Sequence, residues 1–251
     1  LSVKDCAEFI RGVTPSPRSR QQFRLVLGWI LACAVEEGWM DDNPALATRK
    51  FTHERKRERL TLDVYRLIWA KAPAWVRNAM DLSLLTLLRR EDVVSLKFAD
   101  VRAGSLWVVP TKTEDSTGVR LQIAVGAELE ALLQRARDDV VSPYIVHRLP
   151  EKARPQEKRA KARTHHTQVL PEQLSRAFAD AREEAGVDIG NPPTFHEIRS
   201  LGGALLQDGG WTVAQVQALM GHSSETMTKV YLEGHETPWQ LVETGVRLPC
   251  N

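Results

Sequence analysis

Cysteine is scarce in this sequence. Cys6, Cys33 and Cys250 are the only three in 251 residues. They lie far apart, and none sits in a C-x-x-C or Cys/His ligand spacing. Neither a disulfide framework nor a zinc site is indicated, and a reducing cytoplasm fits best. Long apolar runs are also missing: nothing approaches the roughly 20 residues that cross a bilayer, so no membrane partner is expected. The start, Leu1-Ser2-Val3-Lys4-Asp5, has neither the basic nor the apolar region of a signal peptide. It also has no initiator Met, so Leu1 is expected to be a cut point with more chain upstream. Charge of one sign is not in excess. Lys and Arg number 34 against 32 for Asp and Glu, leaving a net +2, so overall charge does not announce a nucleic-acid partner. No internal repeat or low-complexity tract emerges.

What is present is enough apolar material, 43% of residues, for one sizeable core and a small second unit. Ser2 to Val13 reads as a short helix cut off by Pro15-Ser16-Pro17. Arg20 to Glu37 reads as an amphipathic helix, with Phe23, Val26, Leu27, Ile30, Leu31 and Val35 at helical spacing and Gly38 placed to stop it. These residues form a partial helical domain over 1–48. A charge-rich linker, 49–60, follows and carries Arg49, Lys50, Arg55, Lys56, Arg57 and Arg59; it is either a solvated connector or a strap along DNA phosphates.

The larger unit, 61–251, opens with two helices, Leu60 to Ala72 with Thr61 at its start and Ala74 to Leu88. The period then changes. Leu106 to Val109 and Val119 to Val125 read as the strands of a hairpin joined by the polar stretch Thr111 to Gly118. A second basic stretch, Arg148 to Arg163, contains Lys152, Arg154, Lys158, Arg159 and Lys161, and Pro171 begins another helix. The fold class expected is mainly α with a small antiparallel β-sheet.

Chemistry concentrates toward the C-terminus. In Pro192-Pro193-Thr194-Phe195-His196-Glu197-Ile198-Arg199-Ser200, Thr194 and Glu197 have capping-box spacing and predict a helix start. Phe195, Ile198, Leu201, Leu205 and Leu206 then form an apolar stripe, while His196, Ser200 and Gly203 share another face with Arg199 at its edge. His196 and Arg199 near a helix N-terminus make a corner suited to a phosphate, although an isolated H-x-x-R is ordinarily a surface pair. Thr212 to Met220 reads as a helix ending at Gly221. Ser223 or Ser224 can cap a last short helix bearing Tyr231.

H-x-x-R at His196 to Arg199, then Leu219-Met220-Gly221-His222, then Tyr231 resembles the C-terminal signature of the tyrosine recombinases. Thr86 to Asp100 resembles that family's upstream arginine box, with Arg89 as the aligned arginine, Arg90 beside it, and Leu87 where the family usually has glycine. Lys112, in Pro110-Thr111-Lys112-Thr113, matches the family's hairpin lysine. The resemblance runs from about Thr61 past Trp239 and is closest to the lambda-like phage integrases, while Leu1 to Thr48 resembles the later part of their core-binding domain.

The resemblance implies a site-specific recombinase that breaks and rejoins double-stranded DNA through a 3′-phosphotyrosyl bond, with no metal and no cofactor. It implies Tyr231 as nucleophile, Arg89, Arg199 and His222 on the phosphate oxygens, His196 in proton transfer and Lys112 as general acid. It also implies a homo-tetramer on DNA, in the bacterial cytoplasm, with the two domains forming a clamp. The tail Trp239-Gln240-Leu241-Val242 can pack in its own subunit or exchange onto a neighbour. Competing readings are a type IB topoisomerase-like enzyme and a noncatalytic DNA-binding module.

Overall fold

Serines set the first two helices. In the computed structural model, which describes residues 1–51, 58–111, 118–150, 163–187, 190–222 and 224–232, α1 (Val3–Val13) begins with a capping box. The Asp5 amide donates to Ser2 Oγ at 3.2 Å and the Ser2 amide to the Asp5 carboxylate at 2.7 Å. α2 (Pro17–Glu36) starts earlier than the apolar spacing predicts, because Ser16 caps it and Pro17, with no N–H to satisfy, suits the first turn. The buried residues of α2 are Arg24, Gly28 and Leu31, whereas Phe23, Val26 and Ile30 of the expected stripe are exposed. Buried Arg24 donates to the carbonyls of Leu46 (2.9 Å) and Thr48 (3.2 Å) and to Thr48 Oγ1 (3.0 Å), fastening α2 to the segment before Arg49.

The chain divides into two units, Leu1–Lys56 and Arg57–Asn251. In the second, Thr61 caps α3 (Leu62–Lys71) by accepting the Val64 amide. α4 (Ala74–Thr86) ends two residues before the predicted Leu88, because Leu87 takes the left-handed conformation at φ 54°. For a leucine that costs about 1–2 kcal/mol. Its fully buried side chain, packed with Val216 and Met220, returns roughly 1.5–3 kcal/mol. The chain then turns at Arg89 into the short α5 (Arg90–Ser95).

The sheet is antiparallel in the order β1 (Val101–Arg102), β2 (Ser105–Val108), β3 (Leu121–Ala124), with Leu106 opposite Ile123 and Trp107 opposite Gln122. The hairpin β2–β3 was legible; β1, at two residues, is too short to carry a period. The remaining helices are α6 (Ala127–Arg135), α7 (Pro171–Glu184), α8 (Glu197–Asp208), α9 (Val213–Met220) and α10 (Glu225–Leu232). α4 runs through the middle of this unit, packed against α6, α7 and α8. Ile68, Met80, Leu82, Leu106, Leu132, Ile145 and Phe178 fill the core. The result is mainly helical with one small antiparallel sheet, as expected. Among the described residues no helix is long and apolar enough to cross a membrane.

The predicted capping box does not form. Thr194 to His196 make a turn, with the Glu197 amide donating to the Thr194 carbonyl at 2.9 Å, and α8 starts at Glu197 behind His196 with no side-chain cap. The Glu197 carboxylate goes instead to Arg59.

Candidate active site

Four segments meet around Arg199. α8 carries Arg199 and His196; the turn after α4 supplies Arg89; the turn after α9 supplies His222; α10 supplies Tyr231. The turn after α9 requires glycine, because Gly221 has φ 61° and packs within van der Waals reach of Val119, Leu121 and Pro110 at the base of the hairpin. That turn sends His222 back toward α8.

Arg199 is 1% exposed. Its Nη1 donates to the Leu87 carbonyl, and its Nη2 lies 2.6 Å from the Met220 carbonyl and 2.8 Å from His222 Nε2. A guanidinium can only donate, so His222 Nε2 accepts. Its Nδ1 then carries the proton and donates to Thr228 Oγ1 at 3.0 Å. Arg199 therefore sets the His222 tautomer, and Thr228, fully buried on α10 and marked by no motif, receives the Nδ1–H and fixes the ring's orientation.

Tyr231 stands in the centre. Its hydroxyl is 2.7 Å from His196 Nε2, its ring lies 5.3 Å from the His196 ring and 5.0 Å from the His222 ring, and the Arg199 guanidinium carbon is 5.5 Å from its centroid. Burial, reinforced by the Arg199 and Arg89 charges, depresses His196 from 6.5 to about 4. The ring is thus neutral at physiological pH, and in the tautomer protonated at Nδ1 its Nε2 accepts a hydrogen bond from the phenol. The same two influences, burial first and Arg89 second, pull Arg199 down to about 9, which leaves it charged.

Two guanidinium groups close together in a buried place repel, and the hydrogen-bond inventory is incomplete there. Nη1 of Arg89 and Nε of Arg199 are buried with no hydrogen-bond partner among the described residues. Such groups are costly unless an anion completes them. Two positive charges and two buried donors suit an oxyanion.

The structure separates the two adjacent arginines. Arg89 is 8% exposed and acts electrostatically on both His196 and Arg199. Arg90 turns away, with Nη1 2.7 Å from Ser175 Oγ and Nη2 2.5 Å from Glu91. Lys112 lies outside the described residues. Its neighbour Thr111 is anchored by its backbone N–H, which donates to Asp92 Oδ1 at 2.9 Å, two residues along α5 from Arg90. Of the basic residues, Arg49 and Lys50 are exposed. Arg55, Lys56, Arg57, Lys152, Arg154, Lys158, Arg159 and Lys161, like the tail from Trp239 to Val242, lie outside the described residues. Arg59 departs from the expectation of a solvent-facing strap. Its side chain is 16% exposed, and Nη1 donates to Glu197 Oε2 and to Ser200 Oγ, each at 2.9 Å.

The phage integrase family model matches residues 58–237, and the chain belongs to that family. It is 33% identical to the integrase of Escherichia phage HK022 and 29% identical to that of Escherichia phage lambda, covering 97% of this chain and 66% of each relative. The chain thus spans just under two thirds of the length of these curated relatives. A lambda integrase dimer bound to a COC′ core site superposes with a TM-score of 0.80 at 27% identity, covering 97% of this chain and 83% of that one. A lambda integrase tetramer bound to a Holliday junction gives a TM-score of 0.79 at 27% identity, covering 97% and 68% respectively.

Proposed function

We propose that this chain is the catalytic part of a site-specific recombinase of phage or prophage integrase type, breaking and rejoining double-stranded DNA through Tyr231. The observation that carries the reading is the Tyr231 hydroxyl 2.7 Å from a neutral His196, beside buried Arg199. In the cleavage step the phenolic oxygen attacks the scissile phosphorus, its proton passing to His196, and the bond to the 5′ oxygen breaks. Arg89 and Arg199 hold the non-bridging oxygens as charge develops on them, joined by His222 once the phosphate displaces its Nε2 from Arg199 and that nitrogen carries a proton, and Lys112 protonates the departing 5′ oxygen. The product is a 3′-phosphotyrosyl ester and a free 5′ hydroxyl. A 5′ hydroxyl from a partner strand reverses the same steps, which conserves the bond energy and exchanges strands.

The lambda integrase structures that resemble this chain are a dimer on a core site and a tetramer on a Holliday junction, which supports double-stranded DNA as the partner and a homo-tetramer as the assembly here. Within that assembly we assign the basic runs around Arg49 and Lys152 to phosphate backbones and the tail at Trp239 to a neighbouring protomer. The working compartment is that of the DNA, the bacterial cytoplasm.

The test is a suicide substrate, nicked so that the released 5′-hydroxyl fragment diffuses away. Wild type is expected to accumulate a covalent protein–DNA band and Tyr231→Phe none; an equal band from Tyr231→Phe overturns the assignment. Ester formation that reseals only its own strand, with no exchange onto a second duplex, would favour the topoisomerase-like reading.

A further inference from the structure

The end of the linker is hydrogen-bonded toward the nucleophile by a path that the recombination chemistry leaves unassigned. Arg59 lies three residues before Leu62, the first residue of α3; Leu60 beside it is fully buried and the neighbouring Glu58 amide donates to the Asn191 carbonyl at 3.3 Å. This stretch of backbone is therefore seated on the segment that leads into α8. From there the Arg59 guanidinium turns inward, and its Nη1 is shared between Glu197 Oε2 and Ser200 Oγ at 2.9 Å each. The Ser200 hydroxyl in turn donates to the backbone carbonyl of Tyr231.

Each link fixes the next. Glu197, 7% exposed, holds the guanidinium. Ser200 Oγ accepts a hydrogen bond from Arg59 and, because a carbonyl can only accept, directs its own proton at Tyr231. The Tyr231 carbonyl lies in the last turn of α10, where carbonyls have no partner within the helix, so an outside donor determines how that turn sits. The phenolic oxygen of the same residue must remain within 2.7 Å of His196, three residues before Arg199 on α8. One helix thus grips Tyr231 at both ends, by His196 at the hydroxyl and by Ser200 at the backbone, and Arg59 orders the second grip.

We propose that Arg59 and Ser200 are positioning residues that seat Tyr231, and that Arg59 places this seat under the control of the linker. The proposal rests on Tyr231 being the nucleophile. Neither residue touches the phosphate or the reacting oxygens. Both act through the Tyr231 backbone.

The experiment uses the full chain labelled with 3-fluorotyrosine. There are only three tyrosines, and Tyr65 and Tyr144 are buried elsewhere in the same unit, so they serve as internal controls of folding. In Arg59→Ala and in Ser200→Ala the Tyr231 fluorine resonance is expected to move toward its solvent-exposed position while the other two stay in place. Formation of covalent complex on the suicide substrate should fall about 10- to 100-fold, the loss associated with one hydrogen bond to a charged group. Half-site affinity should change little. Arg59→Lys should recover part of the rate, and the double variant should be no slower than the slower single variant, because both break one chain of contacts.

A Tyr231 resonance that does not move in either variant overturns the proposal, as do rate losses that multiply in the double variant. Joint movement of all three resonances also overturns it, since that reports loss of fold and not of seating. If Arg59→Ala does not fold, Ser200→Ala decides alone. Should wild type form no ester at all, the assigned function fails, while the fluorine spectra still decide whether Arg59 seats Tyr231.

Discussion

Replacing Gly202 with alanine sets two well-measured effects against each other at one position. Gly202 lies in the middle of α8, where alanine is favoured over glycine by about 1 kcal/mol. On propensity alone the variant gains stability. The packing opposes this: a Cβ built at 202 would stand 2.6 Å from the Leu84 carbonyl oxygen and 2.6 Å from Leu87 Cδ2. The leucine methyl can swing aside, but the carbonyl belongs to the α4 backbone, so α8 and α4 must separate. Because the obstacle is backbone, the cost falls in the upper part of the overpacking range, about 2–3 kcal/mol, so the expected net change is a destabilisation of about 1–2 kcal/mol, or roughly 2–8 °C in Tm for a unit of this size. Cleavage should suffer more than stability. Arg199 is anchored on the Leu87 carbonyl across that very contact, and a displacement of about 1 Å at a catalytic group can cost on the order of 10²-fold. Gly203→Ala is the internal comparison. Its Cβ would meet Met220 Cε at 2.8 Å, Leu232 Cδ2 at 3.2 Å and Val216 Cγ1 at 3.5 Å, all side-chain ends that can yield. Calorimetry and single-turnover cleavage on both variants check the ordering, and a Gly202→Ala protein with an equal or higher Tm than wild type would refute the reasoning.

Arg89→Ala and Arg199→Ala should each lower cleavage by about 10²–10³ with little loss of DNA affinity. Arg90→Ala, which loses only its contacts to Ser175 and Glu91, should cleave almost normally; the reverse order would move the arginine assignment by one residue. In the DNA-free protein the His196 ring should titrate near pH 4 by NMR, well below its ordinary value of 6.5, and a midpoint at 6 or above contradicts the burial argument. Since the unfolded chain takes up that proton first as pH falls, this group favours the folded state fully above pH 6.5, and its contribution is lost as pH drops toward 4. Neutralising Arg49, Lys50, Arg55, Lys56 and Arg57, or the basic residues from Lys152 to Lys161, should weaken DNA binding alike across sequences and flatten its salt dependence. Unchanged salt slopes in both variants would exclude those runs from the phosphate contacts.

The parts of the site that were legible in the sequence are those whose geometry is set within one turn of chain. The Gly221 stop, the three-residue step from His196 to Arg199 and the short run to Tyr231 are local, and local spacing survives folding. What escaped was decided at long range. Glu197 has the spacing of a capping residue, yet its carboxylate goes to an arginine 138 positions away, because a buried, hydrogen-bonded ion pair outcompetes a solvent-exposed cap. Arg59 belongs to a run that reads as either a solvated connector or a strap, since no pattern in a run of basic residues reveals which one turns inward. Leu87 sits in a left-handed turn that sequence logic reserves for glycine, and only the apolar pocket formed by Val216 and Met220 explains why leucine is tolerated there. On α2 the apolar periodicity gave the helix correctly but not its inner face, where Arg24 and Gly28 are buried while Ile30 is exposed.

The hydrogen bond between Tyr231 and His196 also has a consequence for genetics, because both residues belong to one polypeptide. Arg199 and His222, too, meet that tyrosine from within the same chain. A copy carrying Tyr231→Phe and a copy carrying Arg199→Ala would therefore not rescue each other when co-expressed. Every active centre in the mixture would be missing either its nucleophile or its buried arginine. Both alleles would instead behave as dominant inhibitors of an intact copy, able to occupy positions in an assembly on DNA without being able to cut there.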